Sequence, residues 1–303
     1  MNIIVNKYKK VADFVHELCK KAQIPLYFSK FSNKLYTNYS HIFLLVYRQH
    51  RHFTYEELMN DLSDNLSLRA YLGLNKLPHY TALIKFTQKL PSKLLHKMLV
   101  AFKHLVEQPE QVALDATGLS LDNASPHYCK RIGLKKRPYL KASFLVDIKQ
   151  YIILLAKLRK KARHDTKDAL PIINKLCQHY QPSIFYADRG YDANYVFKAV
   201  FEKLKAYPLI LQKRLDVPKH RRKGEYRKLT VDEFDYGEYL QRNKVETTMS
   251  ILKRRHGFTI KSRHVKCQKA ETLCRIIAHN VERLLRQGKE IILTFVRITR
   301  VSY

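Results

Sequence analysis

Three short apolar runs follow one another closely from residue 111 onward, and they limit what this chain can fold into more than any other feature. The runs are VALDATGLSLD, PYLKASFLVDIK and YIILLAKLRK. Runs of this length, in close succession, are typical of buried strands and predict a β-meander.

The elements that follow the meander alternate between helix and strand. The sequence predicts strands at SIFYAD and YPLILQK, and helices near residues 166–179, 194–205, 239–255 and 269–287. The order β-β-β-α-β-α-β-α describes a mixed five-stranded sheet with helices on its faces. The predicted fold class is therefore α/β.

The residues before about 108 are predicted to be all-helical. Thr54 is followed three residues later by Glu57, which is the pattern of a capping box at the start of a helix. Two interpretations of this part stay open. It is either a helix-turn-helix-like DNA-binding unit or a plain helical bundle that supports the sheet. In the first interpretation the helix 80–90 is the recognition helix, with these side chains outward: Tyr80, Thr81, Lys85 and Lys89.

These patterns divide the chain into a helical part (1–108), an α/β part (109–290) and a C-terminal tail (291–303). The α/β part contains a basic segment near 212–237 that has no convincing periodicity and is predicted to be a loop or small insertion.

The charge of the chain indicates a polyanionic partner. Lysine and arginine number 57 against 26 aspartates and glutamates, which gives a formal charge of +31. A field of this size favours nucleic acid. The sequence shows neither a membrane-spanning run nor the apolar centre of a signal peptide, so we expect an intracellular, cytoplasmic protein. Five cysteines without a CxxC pair, and scattered histidines, predict neither a disulfide framework nor a zinc site.

The segment 239–255 (YLQRNKVETTMSILKRR) predicts one uninterrupted helix, because glycines flank it and its interior has neither glycine nor proline. Four side chains of this helix project within about 60° of one another. They are Tyr239, Arg242, Glu246 and Lys253. An acid in this setting needs a metal, a basic partner or water. The alternative is an ordinary amphipathic surface helix with i,i+4 charge pairs.

Two further acids end strand-like runs: Asp115 in QVALDATGLSL and Asp188 in SIFYADRGYD. If the first and fourth strands are neighbours, these side chains lie side by side, and the helix can bring Glu246 over them. Three carboxylates held together repel one another and resist burial. Hard divalent cations relieve that conflict, and a pair of them supports in-line phosphodiester displacement. Acids and basic charge together indicate an enzyme that acts on nucleic acid.

These residues resemble the DDE transposases of bacterial and archaeal insertion sequences. The signature Y-x2-R-x3-E-x6-K of that family is met by the four side chains of the helix face, with every spacing kept. The settings LDATGLS around Asp115 and ADRGYD around Asp188 are similar to those of the first and second acids of the family. The resemblance covers residues 108–285, with a weaker likeness in LRAYLGLNKLPHYTALIKF.

The resemblance implies a ribonuclease H-like catalytic domain, in which Asp115, Asp188 and Glu246 hold a pair of Mg²⁺ or Mn²⁺ ions. Water is then the first nucleophile, and the freed 3′ hydroxyl attacks target DNA. The DNA contacts expected from the resemblance, and from the basic run at the end of the helix, are Tyr239, Arg242, Lys253, Arg254 and Arg255.

The resemblance also implies a function. We expect a transposase that binds the double-stranded ends of its element, cleaves them and joins them to target DNA, acting as a homodimer on DNA. Two alternatives stay open. One is a catalytically inactive DNA-binding protein descended from a transposase, and the other is a metal-dependent DNA nuclease with the same fold.

Other polar residues near the strand ends have competing interpretations. The pair His164-Asp165 resembles a His-Asp pair of these elements, but Asp165 equally suits the cap of a helix that starts at Thr166. We expect Asp192 to cap a helix and not to assist a metal.

Asp122 and Asp147 are strand-end alternatives to Asp115 that do not fit the family pattern. The basic runs 159–163 and 219–223 are expected to follow the phosphate backbone of DNA.

Overall fold

The structure is a computed structural model of the 303-residue chain, and it describes residues 2–122, 126–133, 138–161, 163–213 and 217–291. A mixed sheet organises these residues. Its strands are β1 (Gln111–Leu121), β2 (Tyr139–Asp147), β3 (Ile152–Arg159), β4 (Ile184–Ala187), β5 (Tyr207–Ile210) and β6 (Thr259–Ile260). The spatial order is β3-β2-β1-β4-β5, and β6 pairs with β1.

The directions of the strands confirm the predicted meander and mixed sheet. Strands β1, β2 and β3 are antiparallel neighbours, whereas β4 is parallel to β1 and β5 is parallel to β4. The sixth strand, β6, was not predicted. It has two residues and pairs at Ser120 and Leu121 of β1, which is too short a run to show a periodicity in the sequence.

Among the described residues, six helices precede the sheet. They are α1 (Asn2–Lys21), α2 (Asn38–Arg51), α3 (Tyr55–Asp64), α4 (Leu66–Tyr71), α5 (Tyr80–Lys89) and α6 (Ser92–Ala101). The predicted capping box is confirmed at the start of α3. Thr54 Oγ1 accepts from the Glu57 N–H at 3.1 Å, and Glu57 Oε2 accepts from the Thr54 N–H at 2.6 Å.

Helix α5 presents the face that the sequence predicted. Leu83 and Phe86 are buried, whereas Thr81, Lys85 and Lys89 are exposed and Tyr80 is half-buried. Both interpretations of the helical part require such a face, so its DNA-binding role stays a prediction.

Seven helices follow β1 in the described part of the chain. They are α7 (Pro126–Arg131), α8 (Thr166–Leu176), α9 (Asn194–Ala199), α10 (Glu225–Lys228), α11 (Tyr236–Tyr239), α12 (Asn243–His256) and α13 (Val265–Arg286). Helix α9 continues as a π-helical turn, Val200–Leu204. The short helices α7 and α10 were not predicted. The predicted tail lies outside the described residues beyond residue 291.

Helix α13 joins the helical part to the sheet. It packs against α1, α2, α5 and α6 on one side and against β3 and α12 on the other. A helix buried on nearly all sides belongs to a core, and the buried side chains of both parts form one continuous cluster. The independence of residues 1–108 as a domain stays a prediction. Among the described residues no helix, α13 included, combines the length and apolarity needed to cross a lipid bilayer.

Asn280 connects α13 to the edge strand β3 through two hydrogen bonds. Its Nδ2 donates to the Ile153 carbonyl at 2.9 Å, and its Oδ1 accepts from the Ile153 N–H at 3.0 Å. Both backbone groups point away from β2, and Asn280 is fully buried. Buried backbone groups at a sheet edge need such partners.

We predict that Asn280→Ala lowers the free energy of unfolding by about 2–6 kcal/mol, because two buried backbone groups each lose a partner at roughly 1–3 kcal/mol. Chemical denaturation measures the loss. The control is Gln287→Ala, at an exposed position just after the same helix, and its effect should stay within about 0.5 kcal/mol. Equal losses in the two variants would contradict the account.

Candidate active site

The sheet places two of the predicted acids next to each other. Leu114 of β1 is paired with Ala187 of the parallel strand β4, so the next residue on each chain is an aspartate. Asp115 Oδ1 accepts from the Ala116 N–H at 2.7 Å, and Asp188 Oδ1 accepts from the Gly190 N–H at 2.9 Å. The neighbourhood of the first and fourth strands, on which the hypothesis depended, is therefore present.

The third acid, Glu246, is linked to Asp115 by the guanidinium of Arg242. Arg242 lies just before α12, which packs against β1 and β2. Its Nη1 is 3.7 Å from Asp115 Oδ2, and its Nη2 is 2.6 Å from Glu246 Oε1. One guanidinium thus links a mostly buried carboxylate on the sheet to a more exposed one on the helix.

The charges of the three acids act on one another. The pKa of Asp115 is raised to about 6, chiefly by burial and also by the charges of Asp188 and Glu246, whereas the hydrogen bond from the Ala116 N–H and the charge of Arg242 act in the opposite direction. Burial also raises the pKa of Asp188, with a contribution in the same direction from Glu246. The acids therefore carry negative charge that a single guanidinium does not balance.

The donor chemistry of this set fits a hard divalent cation, which prefers carboxylate oxygens. Within the described residues, however, no three histidine, cysteine, aspartate or glutamate side chains lie close enough to form one metal-binding group. The guanidinium of Arg242, and not a third carboxylate, is the group that contacts Asp115. The assignment of Asp115, Asp188 and Glu246 as metal ligands stays a prediction.

Lys253, the last residue of the signature, also reaches the first strand. Its Nζ donates to Thr117 Oγ1 at 2.6 Å. Thr117 is two residues after Asp115 and therefore on the same face of β1. Burial lowers the pKa of Lys253, and the charge of Asp115 opposes this effect. A cation thus lies along the strand from the acids.

Tyr239 lies at the other end of the signature and is buried. Its ring is 5.4 Å from that of Phe234 and 6.0 Å from that of Tyr236, and the guanidinium of Arg242 lies 5.8 Å from its centroid. Its contact with DNA stays a prediction.

The segment 239–255 is not one helix, contrary to the prediction. Tyr239 ends α11, a 3₁₀ turn spans Leu240–Arg242, and α12 begins at Asn243. Side chains three residues apart eclipse in a 3₁₀ turn, which stacks Arg242 next to Tyr239. The first piece packs around Tyr239 and the last packs on the sheet. The spacing of apolar residues in the sequence does not show that the chain changes from α-helix to a 3₁₀ turn between these two packed pieces.

Arg254 and Arg255 do not join the acids. Arg255 pairs with Glu282 of α13, and Arg254 is exposed. Helix α12 therefore presents Lys253 toward β1 and Arg255 toward α13. The DNA contacts predicted for these two arginines stay predictions, at a place separate from the acids.

Asp165 occupies the N-cap position of α8, but its side chain does not cap the helix. It makes no capping hydrogen bond at the start of α8, because its backbone is already helical and its carboxylate pairs with Lys141. It lies beside Asp188 across Gly190, where an added Cβ would be 2.9 Å from Asp188 Oδ1 and 3.3 Å from Asp165 Oδ2. After burial, the charge of Asp165 contributes to the raised pKa of Asp188. A fourth carboxylate thus borders the site.

The partners of Asp165 were missed in the sequence. Lys141 is buried on β2 and also lies 3.4 Å from Asp168 of α8, which pairs in turn with Arg159 of β3. Ser143 donates to the same carboxylate at 3.2 Å. The sequence feature that could have indicated these pairs is the lysine inside the apolar run PYLKASFLVDIK, because a lysine buried in a strand needs an acidic partner.

The carboxylate of Asp192 does not cap the following helix, contrary to the prediction, because the N-cap position of α9 is taken by Ala193. Its Oδ1 lies 2.6 Å from Arg227 Nε, and its Oδ2 accepts from Arg227 Nη2 and from the Lys213 N–H, each at 2.7 Å. The carboxylate faces the basic segment because Arg227 supplies a two-pronged partner. It attaches that segment to the turn that carries Asp188.

The two remaining strand-end acids have other roles. Asp147 ends β2 and accepts from the N–H groups of Lys149 and Gln150 at 2.9 and 3.2 Å, so it stabilises a turn. Asp122 is exposed after β1. Neither is part of the site.

Comparison with known proteins finds one matching family and one similar solved structure. The model of the transposase DDE domain family matches residues 107–281, more than half of the chain. No curated protein matches the sequence. Among solved structures the chain is similar to one described as the cryo-EM structure of the piggyBac transposase synaptic complex with hairpin DNA. The identity is 9%, the TM-score is 0.45, and the match covers 94% of this chain and 74% of that chain.

We predict that Asp115 makes stability depend on pH. Its pKa is about 6 in the folded chain against an ordinary 3.8, so the folded state binds the proton more tightly. The protein therefore loses up to about 3 kcal/mol of unfolding free energy as the pH rises from about 4 to about 7. Asp115→Asn removes this loss, so the stability of the variant relative to wild type should increase over that range.

Urea denaturation at both pH values, without divalent cations, measures the difference. The control is Asp122→Asn, which changes an exposed aspartate directly after β1, the strand that carries Asp115. The stability of this variant relative to wild type should not depend on pH. A constant difference for Asp115→Asn would show that its carboxyl group is not destabilised in the folded chain.

Proposed function

We propose, from the premise that this chain belongs to the transposase DDE domain family, that it is a metal-dependent DNA transposase of an insertion sequence. It binds the ends of its element, cleaves DNA strands there and transfers them into target DNA. Its catalytic part is the ribonuclease H-like fold that the sequence resemblance implies.

The observation that carries this proposal is the arrangement around Arg242. Asp115 lies within β1 and Asp188 directly follows the parallel strand β4, at adjacent positions across the sheet, and Arg242 joins Asp115 to Glu246. Three acids that are far apart in the sequence thus border one guanidinium, in a chain with a formal charge of +31. Acids that can hold divalent cations, next to arginine and lysine side chains that can bind phosphate, are suited to a phosphodiester substrate.

Each side chain has a role in the proposed reaction. Asp115, Asp188 and Glu246 would hold divalent cations, Mg²⁺ or Mn²⁺, which when bound activate the attacking oxygen and neutralise charge on the phosphate. Arg242 and Lys253 donate charge-assisted hydrogen bonds to phosphate oxygens and so orient the strand.

The reaction has two displacements at phosphorus. In the first, the oxygen of water bonds to phosphorus and the 3′ oxygen leaves as a hydroxyl. In the second, that hydroxyl bonds to a phosphorus of target DNA and displaces a 3′ oxygen of the target. Handling two ends together requires two copies of the chain, so we propose a homodimer on DNA, in the cytoplasm.

We predict that Asp188→Ala lowers nicking of an end fragment by at least about a thousandfold, because it removes one of a set of groups that act as a unit. The fragment is taken from the DNA that flanks the coding sequence, and nicking is followed on a gel with Mg²⁺. Binding of the fragment should persist. Asp122→Asn is the matched control and should nick as wild type does.

Other outcomes point to the alternatives. A wild-type protein that binds the fragment without nicking it would be an inactive descendant of a transposase. A protein that nicks but never joins the cut end to a second duplex would be a nuclease.

We predict that Lys253→Ala weakens DNA binding and lowers the slope of log K against log salt by about 0.9, as expected for one lost phosphate contact. Fluorescence anisotropy of a labelled duplex at several salt concentrations gives the slope. Lys266→Ala, at an exposed position on α13, is the control. A slope unchanged by Lys253→Ala would remove this residue from the DNA contacts.

A further inference from the structure

A cavity of about 310 Å³ lies between α12 and α13, apart from the acids. Four arginines line it, two from each helix, together with a histidine and a glutamate of α13. They are Arg254, Arg255, Arg283, Arg286, His279 and Glu282. We call it the arginine cavity.

The charges in the arginine cavity do not balance. Among the described residues that line it, Glu282 is the single acid. It pairs with Arg255 and with Arg286, the latter at 3.1 Å. Arg283 donates instead to the neutral carbonyl of Gln150 at 3.3 Å. After burial, the nearby charges of Arg286 and Arg255 contribute to lowering the pKa of Arg283. Cations that converge in this way favour an anion among them.

His279 of α13 also lines the arginine cavity. Its ring is buried, and its Nε2 lies 3.0 Å from the Tyr151 carbonyl. Burial lowers the pKa of His279 to about 4, and the charges of Arg283 and Arg255 act in the same direction. The four arginines, and not this ring, therefore supply the positive charge of the cavity.

The position of the cavity shows what can reach it. Arg254 and Arg286 are exposed, whereas Arg255 and Arg283 are partly buried, so the first two are the most accessible from solvent. Arginine forms paired hydrogen bonds with phosphate groups. Lys253 faces β1, whereas the next arginines of α12 face α13.

We propose that the arginine cavity binds phosphate groups of a DNA duplex, as a second contact on the side of α12 away from the acids. The identity of the anion as DNA rests on the proposed function. The binding itself does not require catalysis. One duplex at the acids and another phosphate contact behind the same helix would let α12 touch DNA on two sides.

The test compares two double variants that remove the same charge. Arg254→Gln with Arg286→Gln changes the two accessible arginines of the cavity. Arg263→Gln with Lys266→Gln changes two exposed cations near the start of α13, outside the cavity. Duplex binding is measured by anisotropy over a range of salt concentrations, without divalent cations. Thermal unfolding in chloride and in inorganic phosphate of equal ionic strength checks folding and reports anion binding.

The cavity variant should lower the salt slope by about 1.8, since each lost phosphate contact removes about 0.9. It should also lose the rise in Tm that inorganic phosphate gives the wild type. The control variant should keep that rise and change the slope by less than half as much.

Three results would overturn the proposal. Equal salt slopes in the two double variants would mean that the net charge of the protein, and not the arginine cavity, determines duplex binding. An unchanged slope with a lost phosphate effect would make the cavity a site for free phosphate and not for DNA. An unchanged slope with no phosphate effect in the wild type would leave the cavity without an anion. None of these measurements depends on strand cleavage, so a catalytically inactive protein would give the same binding and unfolding results. Failure of the catalytic proposal would be detected separately, in the nicking assay.

Discussion

The contact of the Arg242 guanidinium with two carboxylates is the interaction on which the rest of the site depends. Asp115 and Asp188 lie at adjacent strand positions because β1 and β4 run parallel in register. Burying carboxylates near one another costs several kcal/mol per ion unless a cation is close. Arg242 supplies that cation and lies just before α12, so its contact with Asp115 also fixes the helix over the sheet. Glu246 follows one turn later on the same helix, and Lys253 then reaches β1.

The turn that carries Asp188 is held on both sides by further charge pairs. On one side Asp165 lies beside it and is bound by the buried Lys141, which α8 and β3 support through Asp168. On the other side Asp192 holds Arg227 of the basic segment. The basic segment is therefore attached to the turn with Asp188 through one carboxylate. Behind α12, helix α13 carries the core contacts with the helical part and one wall of the arginine cavity.

Much of this arrangement was predictable because it is local or periodic. The meander, the mixed sheet and the capping box at Thr54 follow from runs and spacings that a few residues determine. The roles of Asp165 and Asp192 were not predictable in this way. The local sequence suits both residues to helix caps, but their carboxylates form ion pairs with Lys141 and Arg227. Those partners are distant in sequence, and no periodicity encodes which cation a carboxylate will meet. Strand β6 and the 3₁₀ turn before α12 are set by packing in the same way.

The central claim is that Asp115, Asp188 and Glu246 form one site for a divalent cation. The most direct measurement is calorimetric titration of Mn²⁺ into the wild type and into Asp115→Asn, Asp188→Asn, Glu246→Gln and the control Asp122→Asn. The account predicts that each of the first three variants loses more than about tenfold in Mn²⁺ affinity, as expected for a lost ligand, while the control binds as the wild type does. Wild-type affinity in Glu246→Gln would contradict it, because the glutamate on the helix would then not share a site with the aspartates on the sheet.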